Sequence, residues 1–240
     1  MSDDVVELVE SLCQKSHVVG VGHDFGATLL SRMVAYYPDR FSALVFIAVG
    51  PPKVGTPFDV DMINEMTRKM LGHELLGYIP WIGGDGDDAQ EELERHPESA
   101  MSLMFCANHS LWNEWFRPLG KMRQFVSEDT RADIGEWYTS DLQRHHLEAF
   151  GQKDGYKGAV RWYSMWMGNL FKKDEAGCEE FEAKQPVLFI SDKTPGGEQQ
   201  KVMLAAWAPK LTVAAIDGGH WLHIEQEEET NRLIEGFLKA

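Results

Sequence analysis

The stretch Val18-Val19-Gly20-Val21-Gly22-His23-Asp24-Phe25-Gly26-Ala27-Thr28-Leu29-Leu30 decides the fold. Its first five residues form an uncharged, β-branched run that reads as a buried parallel strand. From Ala27 onward apolar residues recur at helical spacing, so 27–37 reads as a helix. Between the two, Gly22-His23-Asp24-Phe25-Gly26 fits the pattern G-x-nucleophile-x-G. That pattern is a tight turn, with glycines where backbones approach, that lifts one side chain over the end of a sheet. The residue at its tip is an acid, Asp24. A helix N-cap would also explain an Asp at this place.

The same rhythm extends outward. "ALVFIAV", residues 43–49, reads as a second strand, and Gly50-Pro51-Pro52 ends it. "PVLFIS" at 186–191 and "LTVAAI" at 211–216 read as two more. Helices are expected over 3–14, 199–207 and 227–238. From about 53 to 183 the texture changes to helix patterns at 60–71, 89–106, 140–150 and 158–171. Six of the eight tryptophans lie between Trp81 and Trp166. The expected organisation is an α/β core of about four parallel strands from residues 1–52 and 184–240. A helical cap, 53–183, is inserted into it. The strand ends of such sheets are where active sites sit.

Composition bounds the partners. The 240 residues, 43% of them apolar, suffice for one or two domains with a real core. A formal charge of -15 argues against nucleic acid and anionic membranes. The acidic run "EQEEE", 225–229, reads as a solvated face. Cys13, Cys106 and Cys178 show neither pairing nor metal spacing, which suits reduced thiols in a cytoplasmic protein. The start "MSDDVVELVE" lacks the features of a signal peptide, and "ALVFIAV" is too short to cross a bilayer. No metal or organic cofactor is expected.

An aspartate at the nucleophile position selects the chemistry. With an ordinary pKa of about 3.9 it is ionised at pH 7 and needs no base to attack. It suits displacement at a saturated carbon, in an epoxide or bearing a halide, and leaves an ester on the enzyme. Hydrolysis of that ester requires a histidine to activate water. "AIDGGHWLH", residues 215–223, supplies His220 after a strand and a two-glycine turn, and His223 reads as structural. The acid that orients the imidazole belongs at the end of the strand 187–191, where Asp192 stands with Glu198 behind it. The order nucleophile, acid, histidine is the hydrolase order.

These residues carry a resemblance to the soluble epoxide hydrolases of the α/β-hydrolase superfamily. Residues 18–52 resemble that family's nucleophile region, and "DGGHW", 217–221, its catalytic histidine segment. "GYKGAVRWYSMW", 155–166, and "LGYIPW", 76–81, resemble the two cap segments that carry epoxide-activating tyrosines. The resemblance implies an α/β-hydrolase fold, a small apolar epoxide as substrate, and Tyr163 and Tyr78 as the two phenols. Phenols suit this task because opening an epoxide leaves an alkoxide that needs a hydrogen bond and then a proton. Tyr138 and Tyr156 are competitors with weaker motif support. Phe25 would lend its backbone N–H to an oxyanion hole. Trp81, Trp162 and Trp221 are the candidate walls of the substrate pocket, although most cap aromatics read as cap core.

Two rival readings are a haloalkane dehalogenase and a relative that only binds a ligand or partner. The resemblance bears on the first, because dehalogenases grip halide with a tryptophan after the nucleophile, where Phe25 has no side-chain donor. The chain also departs from the family pattern. Its nucleophile follows the first strand rather than the fifth, and the early strands and their H-G-x-P loop are missing. The sheet is therefore expected to be N-terminally truncated. Strand 18–22 would then be an apolar edge, able to pair with another chain as a homodimer. Thr194 stands where the family places its acid.

Overall fold

The structure is a computed structural model that describes residues 1–13, 17–84 and 88–240. In chain order the elements are α1 (Ser2–Leu12), β1 (Val18–His23), α2 (Phe25–Tyr36) and β2 (Phe41–Ile47). There follow α3 (Val60–Leu71), α4 (Ile79–Ile82), α5 (Asp88–Arg95), α6 (Pro97–Met104), α7 (Lys121–Ser127), α8 (Ser140–Phe150) and α9 (Lys157–Met167). The chain closes with β3 (Val187–Asp192), α10 (Pro195–Ala205), β4 (Leu211–Ile216), α11 (Leu222–Glu225) and α12 (Glu227–Lys239). Gln14, expected as the end of the first helix, lies outside the described residues.

The described residues divide into two compact units. One is Met1–Thr56 with Asp174–Ala240, and the other is Pro57–Lys173. The first unit is built on a sheet of order β1-β2-β3-β4, parallel throughout. Alternation along the strands feeds two cores. Leu44 and Phe46 of β2 and Val187 and Phe189 of β3 pack with Leu30 and Val34 of α2. Their neighbours Val45, Ile47, Leu188 and Ile190 face the other way, against Leu222 and the apolar stripe of α12. Both faces of β2 and β3 are thus covered, which is why these strands read as continuous apolar runs.

β1 differs. It pairs with β2 on one side, and among the described residues no strand lies on the other. Val19 and Val21 are 38% and 53% exposed. An uncharged, β-branched edge of this kind is a template for pairing with another strand.

Among the described residues, an ion pair is buried in this unit. Arg32 Nε of α2 lies 2.7 Å from Glu175 Oε1, and the glutamate is 1% exposed. Glu175 Oε2 also accepts the N–H of Gly55 at 2.7 Å. Breaking one side of such a pair is expected to cost about 3–5 kcal/mol, because a buried charge is left alone.

The second unit is helical. Leu93, Leu103, Phe116, Phe125, Val126 and Val160 form the centre of its core. The single helix expected over 89–106 is two helices, α5 and α6, broken at His96, just before Pro97. Proline has no N–H to donate and its ring clashes with the carbonyl four residues back, so it begins a helix rather than continuing one. A polar chain crosses this core: Tyr138 Oη to His146 Nδ1 is 3.1 Å, and His146 Nε2 to Tyr156 Oη is 3.2 Å.

Candidate active site

The site grows from the end of β1. After His23 the backbone turns sharply at Asp24, which adopts φ 50° and ψ -123°. A residue with a side chain pays roughly 1–3 kcal/mol for such a conformation, and it persists where the surroundings impose it. Here they do. The turn is so tight that a Cβ on Gly22 would fall 2.5 Å from the Gly26 carbonyl oxygen and 2.7 Å from the Ala27 nitrogen. At Gly26, by contrast, a Cβ would meet open space. The strained turn presents the Asp24 carboxylate at the strand end, and Asp24 is also the N-cap of α2.

Asp24 and His220 meet. His220 Nε2 is 3.0 Å from Asp24 Oδ2, and Asp24 Oδ1 accepts the Phe25 N–H at 2.6 Å. The side chains are 38% and 21% exposed, so a reactant can reach them. Burial pulls the carboxyl pKa upward, but the hydrogen bond from His220 and its charge outweigh this and hold Asp24 below the ordinary carboxylate range. The Phe25 N–H, the expected oxyanion donor, is taken by Asp24 itself in this arrangement.

The His220 loop is held from two sides. His23 Nε2 lies 2.9 Å from the His220 carbonyl oxygen. A carbonyl only accepts, so the proton sits on Nε2 of His23. Burial first, then the charge of His220, lowers His23 to about 4, which keeps this ring neutral. On the other side, Glu225 Oε2 accepts the Gly219 N–H at 2.6 Å and Oε1 accepts the Trp221 N–H at 2.9 Å. Gly218 takes φ +152°, where a side chain is strained, and a Cβ there would meet Leu222 at 2.7 Å. Glu225 corrects the reading of 225–229 as a solvated face. A glutamate five residues past the histidine, one turn into a helix, is placed to reach back to the loop. The acidic neighbours that follow hid that signal.

Trp221 stands beside both histidines, with ring centroids 5.1 Å from His23 and 4.9 Å from His220. His223 lies 4.3 Å from the His23 ring. Asp192 ends β3, and its Oδ1 accepts the Thr194 N–H at 3.0 Å and the Thr194 hydroxyl at 2.6 Å. The structure therefore brings Asp192 to Thr194. Glu198 is exposed and paired with Lys201 at 3.2 Å.

The second unit holds the remaining candidates. Tyr78 and Tyr163 lie together, with ring centroids 5.9 Å apart and nearly perpendicular. Tyr78 also packs on Phe116 at 4.3 Å. The hydroxyls of Tyr138 and Tyr156 are engaged by His146, which leaves them to the core of the unit. Trp81 donates its indole N–H to Asp88 at 3.2 Å, and Trp162 is partly buried on α9 next to Tyr163. Among the described residues there is no group of three metal-ligating side chains, and no helix is long and apolar enough to cross a membrane.

Comparison with known proteins agrees with this geometry. The chain is 24% identical over 235 residues to bifunctional epoxide hydrolase 2 of Sus scrofa, covering 94% of this chain and 39% of that one. It is 22% identical over 244 residues to an epoxide hydrolase of Caballeronia sordidicola, covering 99% and 70%. The chain thus spans about two fifths of the mammalian relative. In structure it is similar to epoxide hydrolase A from Mycobacterium thermoresistibile, with a TM-score of 0.77, 22% identity, and coverage of 100% of this chain and 74% of the other. Potato (Solanum tuberosum) epoxide hydrolase I superposes with a TM-score of 0.75 at 21% identity, covering 99% and 75%. The sequence profile of the alpha/beta hydrolase fold matches residues 1–227. With a strained acid at a strand-to-helix elbow, a histidine within hydrogen-bonding distance of it, and a profile match over most of its length, the chain belongs to the α/β-hydrolase fold family.

Proposed function

We propose that the protein is an epoxide hydrolase that opens a small apolar epoxide to a vicinal diol through an ester on Asp24. The observation that carries this reading is the 3.0 Å pairing of His220 with an ionised carboxylate at the elbow. Serine would need the histidine as its base, whereas Asp24, held below the ordinary range, attacks without one. The names of the relatives point the same way.

In the proposed reaction a carboxylate oxygen of Asp24 bonds to the less hindered epoxide carbon as the ring C–O bond breaks. The ring oxygen leaves as an alkoxide and takes a proton from Tyr78 or Tyr163. His220 then removes a proton from water, and the hydroxide adds to the ester carbonyl. The tetrahedral adduct expels the second alkoxide, which receives the proton held by His220. The new carboxylic acid loses its proton, through solvent, to the tyrosinate. Water and epoxide are consumed, one diol leaves, and the protein returns to its starting state.

Asp192 would orient His220 in this scheme. Its two hydrogen bonds to Thr194 favour a slow second half-reaction, with ester hydrolysis limiting turnover. Trp81, Trp162 and Trp221 are the proposed substrate-pocket residues. Homodimerisation through the β1 edge and a cytoplasmic location belong to the same reading.

Turnover of styrene oxide in heavy-oxygen water tests the scheme. Because water attacks the ester carbonyl, repeated cycles should place the label in the Asp24 carboxylate, read by peptide mass. Diol formation with residue 24 unlabelled would overturn it. Halide release from haloalkanes, with no diol from any epoxide, would select the dehalogenase reading instead.

A further inference from the structure

We propose that Glu225 is a positioning residue for the hydrolytic half of the reaction, because its one carboxylate accepts the two N–H groups that flank His220. The chemical consequence rests on the proposed epoxide hydrolase reading; the hold on the loop does not.

His220 follows Gly218-Gly219, the residue type with the most backbone freedom, so nothing intrinsic to the turn fixes the imidazole. Glu225 supplies the constraint. Oε2 takes the Gly219 N–H at 2.6 Å and Oε1 takes the Trp221 N–H at 2.9 Å. The bond is reciprocated, since the N–H of Glu225 donates to the Trp221 carbonyl at 2.8 Å. The helix α11 that carries Glu225 is itself anchored. Leu222 is fully buried, and its carbonyl accepts the Thr230 hydroxyl of α12 at 3.0 Å. His23 completes the frame from the β1 side through the His220 carbonyl. Only a carboxylate offers two acceptors here. A glutamine would turn an NH2 toward one of the two N–H groups and lose that bond.

Attack by Asp24 needs no base, so a displaced His220 should leave ester formation intact and slow ester hydrolysis. A displacement of about 1 Å can cost on the order of 100-fold in rate. In Glu225→Gln we therefore expect the ester on residue 24 to form within about threefold of the wild-type rate and to decay roughly 10- to 100-fold more slowly, the range that such a displacement allows. KM and kcat should fall together. Glu225→Asp, with the charge kept on a shorter stem, should lie between. Quenched-flow mass spectrometry with styrene oxide reads the ester directly.

Amide hydrogen exchange gives an arm free of the chemistry. The Gly219 and Trp221 amides should exchange faster in Glu225→Gln, while amides of β2 and β3 keep their protection. Wild-type ester decay with unchanged exchange at these two amides would overturn the proposal. So would equal slowing of ester formation and decay, which marks general damage to the fold. If no ester forms even in His220→Gln, the epoxide reading fails, and the exchange arm still decides whether Glu225 holds the loop.

Discussion

His220 and His146 each face oxygen atoms on neighbouring side chains, yet their surroundings give them opposite characters. His220 is 21% exposed and paired with the carboxylate of Asp24. His146 is 9% exposed and lies between the phenols of Tyr138 and Tyr156. The carboxylate is a charged acceptor, and partial exposure leaves His220 within reach of water. Phenols give no such charge support. Burial lowers His146 to about 4, raises Tyr138 to about 12, and raises Tyr156 further with the help of Tyr138. The neutral ring then donates through one nitrogen and accepts through the other, so the three side chains form one directional, fully satisfied chain. The lesson is that a histidine's chemical use is set by its partner's charge and its access to water. The cap histidine has the setting of a strut, and the core histidine that of the reagent proposed above.

The largest expected effect tests the reagent. Asp24→Ala should lower diol formation by more than about 10⁴-fold, the scale seen when a nucleophile is removed. His220→Gln should stop after one equivalent of ester, read as a single adduct mass. A stable His220→Gln that turns over normally would erase the contrast between the two histidines.

His146→Leu tests the strut. It leaves two buried phenols without a partner, at about 1–3 kcal/mol each, so denaturant unfolding should show a loss of roughly 2–6 kcal/mol. Converting all three residues to apolar ones, Tyr138→Phe, His146→Leu and Tyr156→Phe, should recover most of that loss. Lost activity at unchanged stability in His146→Leu would move this residue from strut to reagent.

Acid titration sharpens the comparison further. With His146 and His23 at about 4 in the fold and near 6.5 in the unfolded chain, the unfolded state binds more protons between those values. Stability should be fully present above about pH 6.5 and fall as the pH drops toward 4, by up to about 1.4 kcal/mol per pH unit for each histidine. Asp24, held below its unfolded value, adds a further loss only below about pH 4. His146→Phe should flatten one histidine's share of the slope in a pH series of unfolding curves. A slope unchanged by that substitution would show that His146 is not neutral in the fold. The smallest effect belongs to Tyr138→Phe, about 1 kcal/mol of stability, with diol formation within about twofold of wild type.

Much of this was legible from particular residues. Leu44 through Ile47 alternate between two cores, so an unbroken apolar run announced a doubly covered strand. Gly22 and Asp24 marked the elbow because no larger residue fits at the first and the second stands at its tip. Pro97 was a visible break that the helical periodicity on either side concealed. Glu225 was masked by the acidic residues beside it, since charge patterning does not distinguish a carboxylate aimed at backbone N–H groups from one in water. The hold of Thr194 on Asp192 is a matter of loop conformation, which spacing along the chain does not encode. Tyr138 and Tyr156 could not be separated from Tyr78 and Tyr163 by composition, and their bonds to His146 make the difference.

Glu175 and Gly55 sit beside the two places where the chain passes from one unit to the other and back, and Glu175 joins them by accepting the Gly55 N–H while pairing with Arg32 of the helix that Asp24 caps. The two crossings are thus tied together within the core unit, as Phe58 and Asn169 tie them within the second. An insert spliced between residues 56 and 174 would arrive at ready-made attachment points, so new cap modules could be traded in without rebuilding the ground on which Asp24 stands.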